Sequence, residues 1–597
     1  MDRRGLLKTA AATALVAPAW PAFAKIAPAR RVRPTDAAWP APTAWAKLKD
    51  DVGGNLIAVQ SLFAPCESEP NGAACHDIVQ NIHNPFYLGD QAAGTQVSGW
   101  LDAWTPAPSV YAVAAHRSED VAAAVNFARA NNLRLVVKGA GHSYQGTSNA
   151  ADSLLIWLRP MNQVTLHDAF VPQGCIGAAP TPAVSAGAGA VWIDLYHAVT
   201  TEGGRYVQGG GCTDVGVAGL IQSGGFGSFS KGFGSAASHL LEAEIVTADG
   251  QVRIANACTN KDLFWALKGG GGGGWGVVTR LTLRTHDLPD NFGAAWGELN
   301  AESDDAFHVL LTRFFAFYRD NLFNPHWGEQ VAIGPGNKLK ISMVCQGLDN
   351  DAAKAAWQPF NDWIAGTPPG ISISKPLGTI AVPARMWWSV GLNPSLVPDK
   401  RAGAPAYHAW WDGDSGQVGA YLYGYDSLWL PAVLLEPARQ TQMTEALFAA
   451  SRYKEVELHF NKGIAGAPQA AVAATQNTAT NPAVTQAFAL AIIADGESSD
   501  FPGEARAPLD SAAAHTEARA IDLAAAELRK IVPQAGSYVS ESNYFNADWR
   551  NAFWGTNYAR LRAIKNRFDP GGLFFGHHGV GSEDWSADGF TRLAKRS

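Results

Sequence analysis

The chain has 597 residues, of which 47% are hydrophobic and 17% charged, with a formal net charge of −7. That balance suits a soluble protein of two or more lobes with large cores, and it argues against a nucleic-acid partner, because no basic helix or Lys/Arg run occurs. The 21 tryptophans read first as core packing and second as walls of a cleft for a flat or sugar-like substrate.

Residues 1–24 read as an export signal: Arg3-Arg4 precede an Ala/Leu/Val-rich stretch that ends in the small-x-small site Ala22-Phe23-Ala24. The paired arginines point to the twin-arginine route, with an ordinary signal peptide as the alternative. The expected location is periplasmic or secreted. No later run of eighteen apolar residues follows, so no stable membrane association is expected. Outside the cytoplasm disulfides persist, and Cys66 and Cys75, close together in a loop-like stretch, are expected to pair. Cys175, Cys258 and Cys345 read as buried small hydrophobes. No Cys/His grouping has zinc spacing, so no metal site is expected.

From about residue 108 the pattern is α/β. Ser118 can cap a helix that carries Val121, Val125 and Ala128 on one face. The strand Leu133–Val137 then runs into a first glycine loop, Lys138-Gly139-Ala140-Gly141-His142-Ser143-Tyr144-Gln145-Gly146. A helix is expected around Ile193–Thr201. A second loop follows, Gly209-Gly210-Gly211-Cys212-Thr213-Asp214-Val215-Gly216-Val217-Ala218-Gly219. Asp249-Gly250 marks a hairpin, a helix is expected near Asp262–Lys268, and a glycine run Gly269–Gly274 leads to the strand Val277–Arg284. Residues 45–288 read as one cofactor domain.

Residues 289–534 carry fewer glycine loops and denser aromatics, among them Trp387-Trp388, Trp410-Trp411 and Tyr421–Tyr425. In Val456-Glu457-Leu458-His459-Phe460-Asn461 the alternation puts Glu457, His459 and Asn461 on one strand face. A helix is expected over His515–Val532. This segment reads as a substrate domain whose sheet covers the cofactor. In the tail, 535–585, a helix over Asn557–Phe568 stops at Asp569-Pro570-Gly571-Gly572. Gly576–Trp585 is expected to close against the cofactor domain.

A glycine loop brings backbone N–H groups close to a phosphate or a flat ring, because no Cβ intervenes. A Rossmann dinucleotide site fits poorly, since Tyr144 stands where a third glycine is needed, and no P-loop is present. The loops resemble instead those of berberine-bridge-enzyme-like FAD-linked oxidases, in the vanillyl-alcohol-oxidase (PCMH-type) superfamily. Their Gly-Gly-His-(Ser/Asp) and Cys-Pro-Thr-Val-Gly-x-Gly-Gly patterns match Ala140-Gly141-His142-Ser143 and Cys212-Thr213-Asp214-Val215-Gly216-Val217-Ala218-Gly219. Gly224-Gly225-Phe226-Gly227, Gly276-Val277-Val278-Thr279 and the tail Gly555-x-Asn557-Tyr558-x-Arg560-Leu561 are further landmarks, all in family order. Thr213 and Asp214 depart from the usual proline and threonine.

The resemblance implies an α+β fold: a two-lobed PCMH-type FAD-binding domain, a sheet-and-helix substrate domain and a C-terminal berberine-bridge segment returning to the first. It implies FAD bound through two bonds, from His142 to the flavin 8α-methyl and from Cys212 to ring carbon C6. Further cofactor contacts are expected at Gly139, Gly141, Ser143, Gly146, Thr213, Gly216, Gly219, Gly225, Val277 and Asn557. The bland alternatives are a core histidine and a core cysteine in tight turns. The implied reaction moves a hydride from a hydroxyl-bearing small molecule to flavin N5, with O2 as acceptor and H2O2 as product. Glu541 stands where related carbohydrate oxidases carry a catalytic tyrosine, so the base candidates are Glu541, Tyr544 and His459. Two rivals are a dehydrogenase serving a quinone or cytochrome, and a non-catalytic binding protein on the same fold.

Overall fold

The computed structural model describes residues 30–593; the export signal expected over residues 1–24 lies outside them. The polypeptide builds three main sheets. A small one orders Leu56–Ala58, Tyr111–Ala114, Ser153–Trp157 and Arg134–Lys138, with parallel pairing across its last three strands. The helix Ser118–Ala130 covers it, burying Val121, Val125 and Ala128. Ser118 is not its cap: the hydroxyl donates to Glu244 at 2.5 Å, while Asp120 accepts from the His116 N–H.

The second sheet runs Val252–Asn256, Leu240–Val246, Val277–Asp287, Thr181–Gly187 and Val164–Phe170, all antiparallel, with Arg205–Val207 on the far end of the central strand. Gly250, at φ +78°, turns the hairpin between its first two strands. The helix expected around Ile193–Thr201 is an α-turn, Trp192–Tyr196, continued as a π-turn over His197–Glu202. Cys66 and Cys75 are bonded as expected. Cys175 and Cys258 are also bonded to each other, which corrects their reading as separate buried hydrophobes. They are 83 residues apart in the chain, and the loop that follows Val164–Phe170 reaches Asn256, whose Nδ2 donates to the Gln173 carbonyl at 2.9 Å. Cys345 is free and buried.

The third sheet has eight strands, in the order Ile371–Pro383, Asn291–Ala301, Lys338–Gln346, Trp327–Gly334, Val456–His459, Ala487–Glu497, Gly419–Pro431 and Val97–Trp100. The last is drawn from the N-terminal part of the chain and pairs parallel to Gly419–Pro431, whereas its neighbours pair antiparallel. Helices Asp304–Phe317, Asn350–Ala365, Pro437–Ser451 and Ser511–Arg529 pack on one face, around Leu310, Phe314, Phe360, Leu447 and Leu528. The period-two alternation then sends the other side chains toward the glycine loops: Leu339, Ile341 and Met343 face the helices, while Lys340, Ser342 and Val344 face a cavity.

The tail closes the first lobe. The helix Tyr558–Phe568 places Lys565 Nζ 2.7 Å from Asp569 and 2.7 Å from the Phe574 carbonyl, and Phe574 bridges to Leu135. No helix among the described residues is long and apolar enough to cross a membrane.

Candidate active site

One cavity of about 1100 Å³ lies between the glycine loops and the open face of the eight-stranded sheet. The first loop leaves Arg134–Lys138 and turns at Gly141, where φ is +85°. Lys138, buried at its base, donates to the carbonyls of Gln91 (2.9 Å), Ala92 (2.5 Å) and Gly94 (3.0 Å), pinning the loop to the turn before it. The second loop follows Arg205–Val207 and is held from both lobes. Tyr196 Oη donates to the Gly210 carbonyl at 2.5 Å, Trp411 Nε1 to the Gly211 carbonyl at 3.0 Å, and Thr213 Oγ1 to the Ala409 carbonyl at 2.6 Å.

The glycines divide into two classes. At Gly209 a Cβ would lie 2.2 Å from the Trp192 ring, so glycine is needed there for packing. At Gly219 and Gly273, both on the cavity wall, a Cβ would meet nothing within 4 Å. Those backbone faces are open to an occupant, and three glycine segments converge on it: 139–141, 211–219 and 271–276. The cradle has the form that a flat ring and a pyrophosphate require.

Of the residues expected to hold the cofactor, His142, Cys212, Gly139, Gly141, Ser143, Gly216 and Gly219 line the cavity. Gly146, Thr213, Gly225, Val277 and Asn557 do not, and each has another role. Gly146 leaves room for the Trp104 ring, and Gly225 leaves room for Leu220. Thr213 ties down its loop, Val277 is buried in the second sheet, and Asn557 Nδ2 donates to the Thr480 carbonyl at 2.8 Å.

His142 Nε2 lies 2.5 Å from the Asp214 carboxylate, out of line for a well-formed hydrogen bond. Asp414 lines the same cavity as the Cys212 thiol. Burial, then the Asp414 and Asp214 carboxylates, push that thiol well up. Burial and the nearby Asp214 push Asp414 up to about 7. Glu329 adds a third carboxylate by unusual means. Its φ of +60° breaks the strand alternation, so both Glu329 and Gln330 face the cavity.

Glu541 faces the same cavity and is paired with Lys462, whose Nζ approaches both carboxylate oxygens. The tyrosines Tyr144 and Tyr425 also line it, with ring centroids 5.4 Å apart. Burial, then Glu541, raises both phenols, so they stay protonated and serve as donors. Sequence reasoning missed both as site residues. Tyr144 was visible beside His142, whereas nothing in the Tyr421–Tyr425 run marks which ring turns inward.

His459 also lines the cavity, but its Nε2 engages Glu457 at 3.1 Å and its Nδ1 is enclosed, so neither nitrogen is presented to a substrate. The strand ends at His459, and Asn461 falls in a following 3-10 turn, yet Glu457, His459 and Asn461 all reach the cavity. Tyr544 is not brought there. Its ring stacks on His577 with centroids 3.7 Å apart and packs near Trp100, which withdraws it as a base candidate. The Gly576–Gly579 turn does line the cavity, and Val580 joins the first lobe's core.

Residues 109–256 match the family model described as an FAD binding domain, and residues 522–581 match the model described as berberine and berberine like. The chain is 29% identical over 599 residues to the VAO-type flavoprotein oxidase VAO615 of Thermothelomyces thermophilus, covering 95% of this chain and 96% of that one. The chain joins an FAD binding domain to a berberine-like C-terminal segment, and its relatives are FAD-linked oxidoreductases. The oxidoreductase is also 29% identical over 595 residues to the FAD-linked oxidoreductase malF of Malbranchea aurantiaca, covering 94% of each chain. Among solved structures it resembles the VAO-type flavoprotein MtVAO615 of Myceliophthora thermophila C1, with a TM-score of 0.76 at 26% identity over 95% of this chain and all of that one. It shares its fold with the glucooligosaccharide oxidase of Acremonium strictum, a protein described with a 6-S-cysteinyl, 8α-N1-histidyl FAD. That match has a TM-score of 0.62 at 19% identity and covers 84% of this chain and 95% of that one.

Proposed function

We propose that the oxidoreductase oxidises a hydroxyl-bearing small molecule, an alcohol or a sugar, with O2 as electron acceptor and H2O2 as product. FAD supplies the two-electron acceptor. The observation that carries the reading is that His142, Cys212 and Glu541 face one cavity. Glu541 takes the hydroxyl proton as the carbinol hydrogen leaves with its electron pair, and a C=O bond results. Lys462 keeps the Glu541 carboxylate fixed in one orientation. Tyr144 and Tyr425, both protonated, donate to the substrate oxygen and hold it in place.

The flavin is bonded to the chain at both His142 and Cys212. This assignment is supported by the two loops, by the open glycine faces and by the linkage described for the glucooligosaccharide oxidase. The mature protein works outside the cytoplasm after twin-arginine export, a reading supported by Arg3-Arg4 and by two disulfides.

The test is the mass and visible spectrum of acid-denatured mature protein, followed by O2 uptake with a panel of alcohols and sugars. A yellow chain one FAD heavier than its sequence, with H2O2 formed on turnover, is the expected result. Turnover with an artificial dye but not O2 would make it a dehydrogenase. A colourless protein would leave a binding module on the same fold.

A further inference from the structure

Each of the two nucleophiles assigned to the flavin faces its own carboxylate. Asp214 is 5% exposed and approaches His142 Nε2 to 2.5 Å. A lone pair on that nitrogen could not approach a carboxylate oxygen so closely. That contact favours the tautomer protonated at Nε2, in which Nδ1 keeps the free electron pair. Asp414 lines the same cavity as Cys212 and is the carboxylate that bears most strongly on its thiol. Among the described residues neither carboxylate has an arginine or lysine salt-bridge partner, although Asp214 is buried and Asp414 partly so. Nor does the cluster arrange three ligands around a metal position. Two uncompensated acids side by side are a standing cost to the fold, which function explains better than stability does.

The geometry points to Asp214 and Asp414 as the proton acceptors for the protein's own attachment of its flavin, Asp214 acting on His142 and Asp414 on Cys212. The inference rests on the reading that both bonds form. At His142 the Nδ1 pair forms the bond to the 8α carbon, that carbon gives up one proton, and the Nε2 proton passes toward Asp214. At Cys212 the thiol proton passes to Asp414, sulfur bonds to C6, and the C6 hydrogen leaves as a proton. Each bond releases two electrons into the ring system, and one O2 takes them up with two protons as H2O2. A thiol held protonated needs such a base close to it. An acid that titrates near neutrality is matched to that work.

The experiment uses purified holoprotein: wild type, Asp214→Asn and Asp414→Asn. Each is denatured in acid and digested, and the peptides containing His142 and Cys212 are weighed for attached flavin. Asp214→Asn is expected to lower the flavin-bearing share of the His142 peptide at least ten-fold while the Cys212 peptide keeps its flavin. Asp414→Asn is expected to do the reverse. Flavin released on denaturation shows that a variant folded and bound its cofactor. Wild-type levels of attachment at both positions in either variant would overturn the inference and leave the attachment reading intact. Absence of either link from the wild type would overturn both. If a variant yields no folded protein, the wild-type histidyl-flavin decides: Nδ1 attachment is expected, and Nε2 attachment overturns the role of Asp214.

Discussion

Lys462 Nζ sits 2.7 Å from one oxygen of Glu541 and 2.5 Å from the other, so a cation from the substrate lobe holds a carboxylate from the C-terminal segment. The two are 79 residues apart in the chain. Replacing Glu541 by Gln keeps the shape and removes the proton acceptor. The expected loss in kcat/KM is on the order of 10²- to 10⁴-fold, with flavin content unchanged. Steady-state O2 uptake together with the absorbance of the bound flavin checks both parts.

Glu329 pairs a costly backbone with an exposed function. The left-handed φ of +60° costs a non-glycine residue roughly 1–2 kcal/mol, and asparagine tolerates it far better. Glu329→Asn is expected to leave stability unchanged or raise it by up to about 1 kcal/mol, while kcat/KM falls because a carboxylate facing the cavity is lost. Thermal unfolding beside turnover tests the trade.

His239 and His286 set an acid limit on the fold. His239 Nε2 donates to the Phe233 carbonyl at 3.0 Å, so its Nδ1 accepts from His286 Nε2–H, also at 3.0 Å. Burial, with the neighbouring ring, holds His239 down to about 3, and burial holds His286 near 4. Unfolded, both titrate near 6.5. The unfolded chain therefore binds protons that the folded one refuses. The pair's contribution is complete above about pH 6.5 and drains away toward pH 4. The melting temperature is expected to fall across that window, and His286→Phe should flatten the fall by a few degrees.

The two disulfides should differ in weight. Cys66–Cys75 closes 9 residues and Cys175–Cys258 closes 83. Chain entropy assigns about 2.5 kcal/mol to the first and about 4.5 kcal/mol to the second. Denaturant titrations of Cys66→Ser/Cys75→Ser and Cys175→Ser/Cys258→Ser variants should rank them in that order.

Local chemistry was legible in the chain. The Asp249-Gly250 turn, the glycine loops, the strand around His459 and the helix near Lys261–Leu267 each follow from a few adjacent residues. Partnerships across long separations were not. No pattern near Cys175 names Cys258, and none near Glu541 names Lys462. Ser118 looked like a helix cap because its type fits that role, but a glutamate on a neighbouring strand claimed its hydroxyl. Tyr544 has the chemistry of a base and lies close to Glu541 in sequence. The stacking of His577 decided its place, and only the folded tail brings that ring over.

The strand Val97–Trp100, seated at the edge of the eight-stranded sheet, bears on how the molecule assembles. Domains made on the ribosome commonly fold one after another, the first before the second is finished. Here the first lobe lends a strand to the second and takes its closing segment, through Phe574, from the end of the chain. Neither lobe can be completed alone, and a cut between them should yield two fragments that fold only on meeting.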